Sequence, residues 1–414
     1  MQEKRYKNEQ VFFALVRAGL WGDVKVNGYR LKVKESAIDW GEIMQLAEEQ
    51  SVVGLVAAGI ETVQGSWTSQ AAEPSAWLKV LAGASDQGRA HGSPLVPQEW
   101  ALQFIGQTLQ IEQRNVAMNK FLAELVSGMR EADIYTLVMK GQGVAQCYEK
   151  PLWRSSGDVD FLLSEENFIK AREYLRPLTK NGFTPSLEEA RHIGAQIGEW
   201  DIELHGNQFC GLSKKIDREI GKLQEDVFYG GNVRSWMCEW TQVFLPGIDD
   251  DVLFVFTHFL KHFYKGGLGL RQICDWCRLL YRYRGELDYG LLESRIRRMG
   301  LMSEWKAFGV YAVDWLGMPA EAMPLYDVRS KKEEVRWKRK AERINRFVME
   351  VGNMGHSRDN SFYGSKSFLV RKIGAFGRRI GDLCSHAMIF PQDSLRFMPA
   401  IVINGLRSAA KGVG

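Results

Sequence analysis

The sequence predicts an α+β protein, a small mixed β-sheet flanked by a helical N-terminal domain and a helical C-terminal domain. Three observations predict it. Apolar residues recur at helical spacing through the first third of the chain. Between about residues 136 and 206 the pattern turns strand-like, with glycine-bearing turns. Beyond Val252 the helical period returns. Boundaries drawn from these changes are 1–125 for the N-terminal helical domain, 126–248 for an α/β core, 249–350 for the C-terminal helical domain and 351–414 for a basic, partly irregular tail.

Taken in order, residues 9–20 and 35–60 carry the helical period, the second through Ile43, Leu46, Ala47, Val52, Val53, Leu55 and Val56. Residues 66–96, richer in Ser, Gly, Ala and Pro, predict a shorter helix between loops. A long helix is predicted from Pro97 to about Ala132, with Leu102, Ile105, Leu109, Val116, Phe121, Leu125 and Val126 among its apolar positions. TLVMKG (136–141) predicts a short strand ending in a Gly turn, and Gly143 to Tyr148 the opening of a helix. VDFLL (159–163) predicts a second strand. Ser164 is a suitable N-cap for a helix running to Asn181-Gly182. HIGAQIG (192–198) and EWDIELHG (199–206) predict two more strands. VLFVFTHFLKHFY and LRQICDWCRLLYRYRG are strong helical segments, 328–350 is a charged helix, and the tail beyond 355 has Gly and Pro breaks.

With 414 residues, 45% hydrophobic and 25% charged, the chain has the makeup of a globular protein of two or three domains. No apolar run is long enough for a transmembrane segment, and the polar start MQEKRYKNEQ lacks the features of a secretory leader, so the expected location is cytoplasmic. Six scattered Cys do not suggest a disulfide framework. Cys274-Asp-Trp-Cys277 reads as two helix cysteines, because zinc would need a second pair or histidines, for which His258 and His262 are the only candidates. The net charge of +4 hides an asymmetry: from Arg329 onward 18 Lys and Arg stand against 7 Asp and Glu. That region reads as a solvated helical face or as a surface for an anionic partner such as tRNA, a glycan or a lipid surface.

The chemistry concentrates in WRSSGDVDFLL (153–163). In a strand, residues i and i+2 share a face, so Asp158 and Asp160 project together while Val159 and Phe161 point away. The later strand repeats the device with Asp201, Glu203 and His205 on one face. If the two strands are neighbours, three or four carboxylates converge and need a counter-charge. Oxygen-only ligands favour Mg²⁺ or Mn²⁺. Two such ions ~3.5–4 Å apart are a known device for in-line displacement at phosphorus. Lys140-Gly141-Gln142-Gly143 adds a cation and a Gly turn opening a helix, and Arg154 stands as a second phosphate clamp. Each element alone has a plainer reading, Asp-x-Asp as a solvated strand edge and Lys-Gly-x-Gly as a turn; their order carries the inference. Lys261, Lys265 and Arg271 are further candidates to face phosphates, while Gly266-Gly267-Leu268-Gly269 is a loop between helices.

LVMKGQGVAQCYEKPLWRSSGDVDFLL resembles the signature of the polymerase-β-like nucleotidyltransferase superfamily, and within it a bacterial family of uncharacterised nucleotidyltransferases. The positions that carry the resemblance are Lys140-Gly141, Tyr148 with Pro151, Arg154, Asp158-Val159-Asp160 and Ile202-Glu203-Leu204-His205. It covers about 35–300. It implies a nucleotidyltransferase core, with an NTP as substrate and Mg²⁺ (or Mn²⁺) bound by Asp158, Asp160 and Glu203, the catalytic carboxylates. Asp201 is the alternative third carboxylate. Lys140, Gly141, Gln142, Arg154, Lys261 and Arg271 would serve the nucleotide. The expected reaction moves an NMP from the NTP to a hydroxyl acceptor (a sugar, tRNA, a protein or a small molecule) and releases pyrophosphate. Gln142 stands where the superfamily usually has Ser or Gly, which motivates a first alternative, a degenerate nucleotide-binding or interaction module. A second is a toxin-type enzyme acting on tRNA or protein.

Overall fold

A computed structural model of the chain describes residues 2–22, 38–63, 96–185, 192–265, 267–326, 330–353, 378 and 381–410. Among the described residues seven strands form one mixed sheet. They are β1 (Leu137–Met139), β2 (Val159–Leu162), β3 (Thr184–Pro185), β4 (His192–Ile197), β5 (Trp200–His205), β6 (Val233–Cys238) and β7 (Thr241–Pro246). Their order across the sheet is β3-β4-β5-β2-β1-β7-β6. The β2 strand runs antiparallel to β1 and parallel to β5, and β4–β5 and β6–β7 are antiparallel pairs. The architecture is α+β with a mixed sheet, as the sequence predicts.

The helices before the sheet are α1 (Gln2–Trp21), α2 (Trp40–Glu49), α3 (Val53–Val63) and α4 (Gln98–Glu131). Within it lie α5 (Gly141–Ala145), α6 (Glu165–Leu175) and α7 (Lys214–Phe228). After it come α8 (Ile248–Lys265), α9 (Leu270–Arg282), α10 (Tyr289–Met299), α11 (Met302–Asp314), α12 (Lys331–Val351) and α13 (Pro391–Ala410). No helix of the described residues is long and apolar enough to cross a membrane.

The long helix expected from Pro97 is α4. Ser164 caps α6 by accepting a hydrogen bond from the Asn167 N–H. That helix stops at Leu175 and not at Asn181, because Pro177 forces a 3₁₀ turn over Arg176–Leu178. The α5 helix opens two residues earlier than expected. The α7 helix and the β6–β7 hairpin occupy a stretch for which the sequence reading names no element. The shorter helix expected over 66–96 falls outside the described residues from 66 to 95. Of the basic tail, 381–389 are helical and α13 follows.

The sheet divides the apolar residues between two cores. One face packs on α4 and α6, with Met118, Leu122 and Phe168 against Val159, Phe161, Ile202 and Leu204. The opposite face belongs to a larger core that includes Leu162, Val252, Phe256, Ile273 and Trp276. Helices from both ends of the chain share that larger core. Arg17 Nε donates to the Trp315 carbonyl at 2.7 Å, Trp21 Nε1 to that of Leu316 at 2.6 Å, and Gln50 Nε2 to that of Val348 at 3.1 Å. The α1 and α3 helices meet backbone to backbone: a Cβ on Gly59 would stand 1.9 Å from the Leu15 carbonyl oxygen.

Candidate active site

The parallel β2–β5 pairing sets the site. Its register places Asp160 opposite Glu203 and Leu162 opposite His205. Alternation then sends Val159, Phe161, Ile202 and Leu204 into the α4 core and the carboxylates to the other face. Asp158, one residue before β2, joins them. Carboxylate oxygens of Asp158, Asp160 and Glu203 all lie within 4.8 Å of one another. Asp201 is exposed at the start of β5 and belongs to no such group among the described residues.

Positive groups close on this cluster. Lys140 Nζ lies 3.0 Å from Asp160 Oδ1, and His205 Nε2 lies 2.8 Å from the same oxygen. His205 Nε2 is also 3.3 Å from Glu203 Oε2, which His192 Nε2 approaches to 3.2 Å. Lys140 sits between β1 and α5 with φ +54°, a conformation that L residues rarely adopt, next to Gly141 at φ +36°. Such backbone costs roughly 1–3 kcal/mol and persists where surrounding structure imposes it.

Asp160's charge, with burial, pushes the Asp158 carboxyl up to about 6. Burial would raise Asp160 too, yet the Lys140 ammonium and the His205 hydrogen bond hold it below the usual carboxylate range. Glu203 is likewise low: His192, His205 and Lys140 outweigh burial. In return, the carboxylates hold His205 and Lys140 above their ordinary values against burial. The donor set fits a hard divalent cation. It is oxygen-only, and one of its members already resists ionising beside another.

The cluster lines a cleft of about 210 Å³ whose opposite wall is α8 and α9, through His258, Lys261, His262, Arg271 and Asp275. Of the residues proposed from sequence, Lys140, Gly141, Arg154, Asp158, Asp160, Glu203, Lys261 and Arg271 all line it. Gln142 does not. Its buried amide bonds Asn119 Oδ1 and accepts from Ser156 Oγ, both at 2.8 Å. Arg154 is nearly buried and forks onto Asp275, Nε to Oδ1 and Nη2 to Oδ2, both at 2.7 Å. Tyr148 OH donates to Asp275 Oδ1 at 2.8 Å. Arg271 Nη1 donates to the Ser155 carbonyl at 2.6 Å, while its Nε is buried with no hydrogen-bond partner among the described residues. His258 and His262 face each other at 3.0 Å between Nε2 atoms. Burial depresses both, His262 to about 4, so both are neutral near pH 7. Cys274 and Cys277 are buried free thiols pushed up by burial, with no metal-binding partners among the described residues.

Sequence reasoning missed His192 and the Arg154–Asp275 fork. His205 carried a signal, since it shares the face of Glu203. His192 lies opposite His205 only through the β4–β5 register, and Asp275 is 121 residues from Arg154.

A family model described as an uncharacterised nucleotidyltransferase matches residues 36–317. The match spans most of the chain and includes every residue of the cleft named above. The chain belongs to this nucleotidyltransferase family. No curated protein and no solved structure matches it.

Proposed function

We propose that the protein is a Mg²⁺-dependent nucleotidyltransferase that moves an NMP from an NTP to a hydroxyl acceptor, releasing pyrophosphate. The observation that carries this reading is the convergence of Asp158, Asp160 and Glu203 on one sheet face beside Lys140. We further propose that the sheet is a polymerase-β-like core, with one carboxylate on a strand, another just before it and the third on its parallel neighbour.

Asp158, Asp160 and Glu203 would hold the metal, Mg²⁺ or Mn²⁺. When bound, it supplies neutralisation of phosphate charge and a lower pKa for the attacking hydroxyl. Lys140 balances Asp160 in the absence of metal and turns to phosphate when the cation takes over that task. Arg271 offers a buried N–H that nothing among the described residues satisfies, and an anionic oxygen would satisfy it. Lys261 adds charge on the α8 wall. Arg154 acts through Asp275 as a rigid strut between the loop before β2 and α9, with its fork already filled. The cleft is below the ~300–1,000 Å³ of ordinary ligand sites, so the nucleoside extends past its mouth. Rate enhancement comes from positioning and electrostatics, with no covalent intermediate on the chain. The acceptor is bound with help from the basic region after Arg329, which suits an anionic molecule.

Calorimetric titration of the four NTPs with Mg²⁺ tests this. Wild type is expected to bind at least one of them in a metal-dependent way, and Asp158→Ala/Asp160→Ala to lose that binding. Equal binding by both proteins overturns the assignment.

A further inference from the structure

We propose that His192, Glu203 and His205 form a second metal site, for a borderline-soft first-row cation of the Zn²⁺ or Co²⁺ class, overlapping the carboxylate site through Glu203. Their ligand atoms lie within 4.8 Å of one another. Both imidazole Nε2 atoms converge on one carboxylate oxygen, Glu203 Oε2, at 3.2 and 3.3 Å. A tetrahedral ion with bonds of ~2.0–2.1 Å has edges of ~3.3–3.4 Å between its ligands, which the two His–Glu203 separations match; the stacked rings turn so that both lone pairs meet the ion.

The sheet builds this arrangement. His192 and His205 are direct cross-strand partners on β4 and β5, and their rings stack at 4.4 Å with 15° between planes. The residue opposite Glu203 on β4 is Gly194, whose lack of a side chain lets His192 reach diagonally to the carboxylate. The donor set separates the two sites chemically. Two imidazoles and one carboxylate suit Zn²⁺ or Co²⁺, and three carboxylates suit Mg²⁺ or Mn²⁺. All three ligands line the cleft, and His192 and Glu203 are only half-buried, so an ion has a path in. Three protein ligands leave a fourth position open. An ion here withdraws Glu203 from Asp158 and Asp160, so it competes with the hard cation and lowers activity.

The two sites share Glu203, and His205 Nε2 also bonds Asp160 Oδ1, but Asp158 takes no part in this one, so a test at Asp158 tells them apart. Co²⁺ is added to the full-length protein without nucleotide, and visible absorption is followed; four-coordinate Co²⁺ gives intense bands, octahedral Co²⁺ weak ones. Intense bands are expected for wild type and for Asp158→Asn, and their loss for His192→Ala. His192→Cys, which restores a soft ligand, is expected to recover a four-coordinate spectrum and guards against misfolding. Mn²⁺ binding followed by electron paramagnetic resonance is expected to survive His192→Ala and to be lost in Asp158→Asn. Weak bands in wild type, or equal bands in folded His192→Ala, overturn the proposal. Absent Mn²⁺ binding with an intact Co²⁺ spectrum would instead remove the carboxylate site and leave this one standing.

Discussion

Lys140 and Asp275 each hold a buried opposite charge, and each can be tested by removing it. Asp160 is 4% exposed and leans on Lys140 at 3.0 Å. Lys140→Met is expected to cost about 1–3 kcal/mol in urea unfolding, since it strips one of the two positive groups from a buried carboxylate and leaves His205 alone on it. Added Mg²⁺ should recover part of that loss, because the cation replaces the missing ammonium. Asp275→Asn strands Arg154, and a loss of ~3–5 kcal/mol is expected. Adding Arg154→Met should restore most of it, which a double-mutant cycle reads directly. The sequence made the Asp158–Asp160 pair legible through strand alternation alone. It made Glu203 legible only on the condition that two strands are neighbours, which β2 and β5 are. Contacts set by register or long range, such as His192 with Glu203, left no local trace.

At the level of elements, strong periodicity translated into helices at the expected places, α4 being the longest. Endings were less legible where a single residue decides them, as Pro177 does for α6. The α7 helix carried an unread signal. Ile216, Ile220, Leu223 and Val227 recur at helical spacing and are all buried, and Ser213 caps it by accepting from the Ile216 N–H. The α1–α3 contact depends on a residue with no side chain. Gly59→Ala puts a methyl against the Leu15 carbonyl, so the two helices must part. Overpacking of this kind costs ~1–3 kcal/mol or more. A lower Tm with unchanged metal-dependent NTP binding in the cold is the expected result.

Across the whole molecule, α8 joins the cleft to the distal core. It presents His258, Lys261 and His262 to the site and Phe263 to an aromatic cluster with Phe308, Phe347 and Phe390. Phe390→Ala removes a fully buried ring, and a loss of ~3–5 kcal/mol is expected in chemical unfolding. Glu304 sits in the same core, bonded by the Tyr264 hydroxyl, and burial pushes its carboxyl up to about 8 from 4.5. Between those values the unfolded chain ionises and the native one does not. Stability therefore falls as pH rises through that window, by roughly 1 kcal/mol per unit from this group. Glu304→Gln, which cannot ionise, should flatten that part of the pH profile measured by thermal unfolding.

The hydrogen bond from Arg17 to the Trp315 carbonyl spans 298 residues. A ribosome adding ~5–20 residues per second needs roughly 15–60 s to supply that partner after Arg17 is made. During this interval Phe12, Leu15 and Val16, fully buried in the finished protein, lean chiefly on α2 and α3 among the described residues. The first helices thus wait, apolar and half-dressed, for α11 and the turn after it to emerge. Holdase chaperones would find their binding surface there.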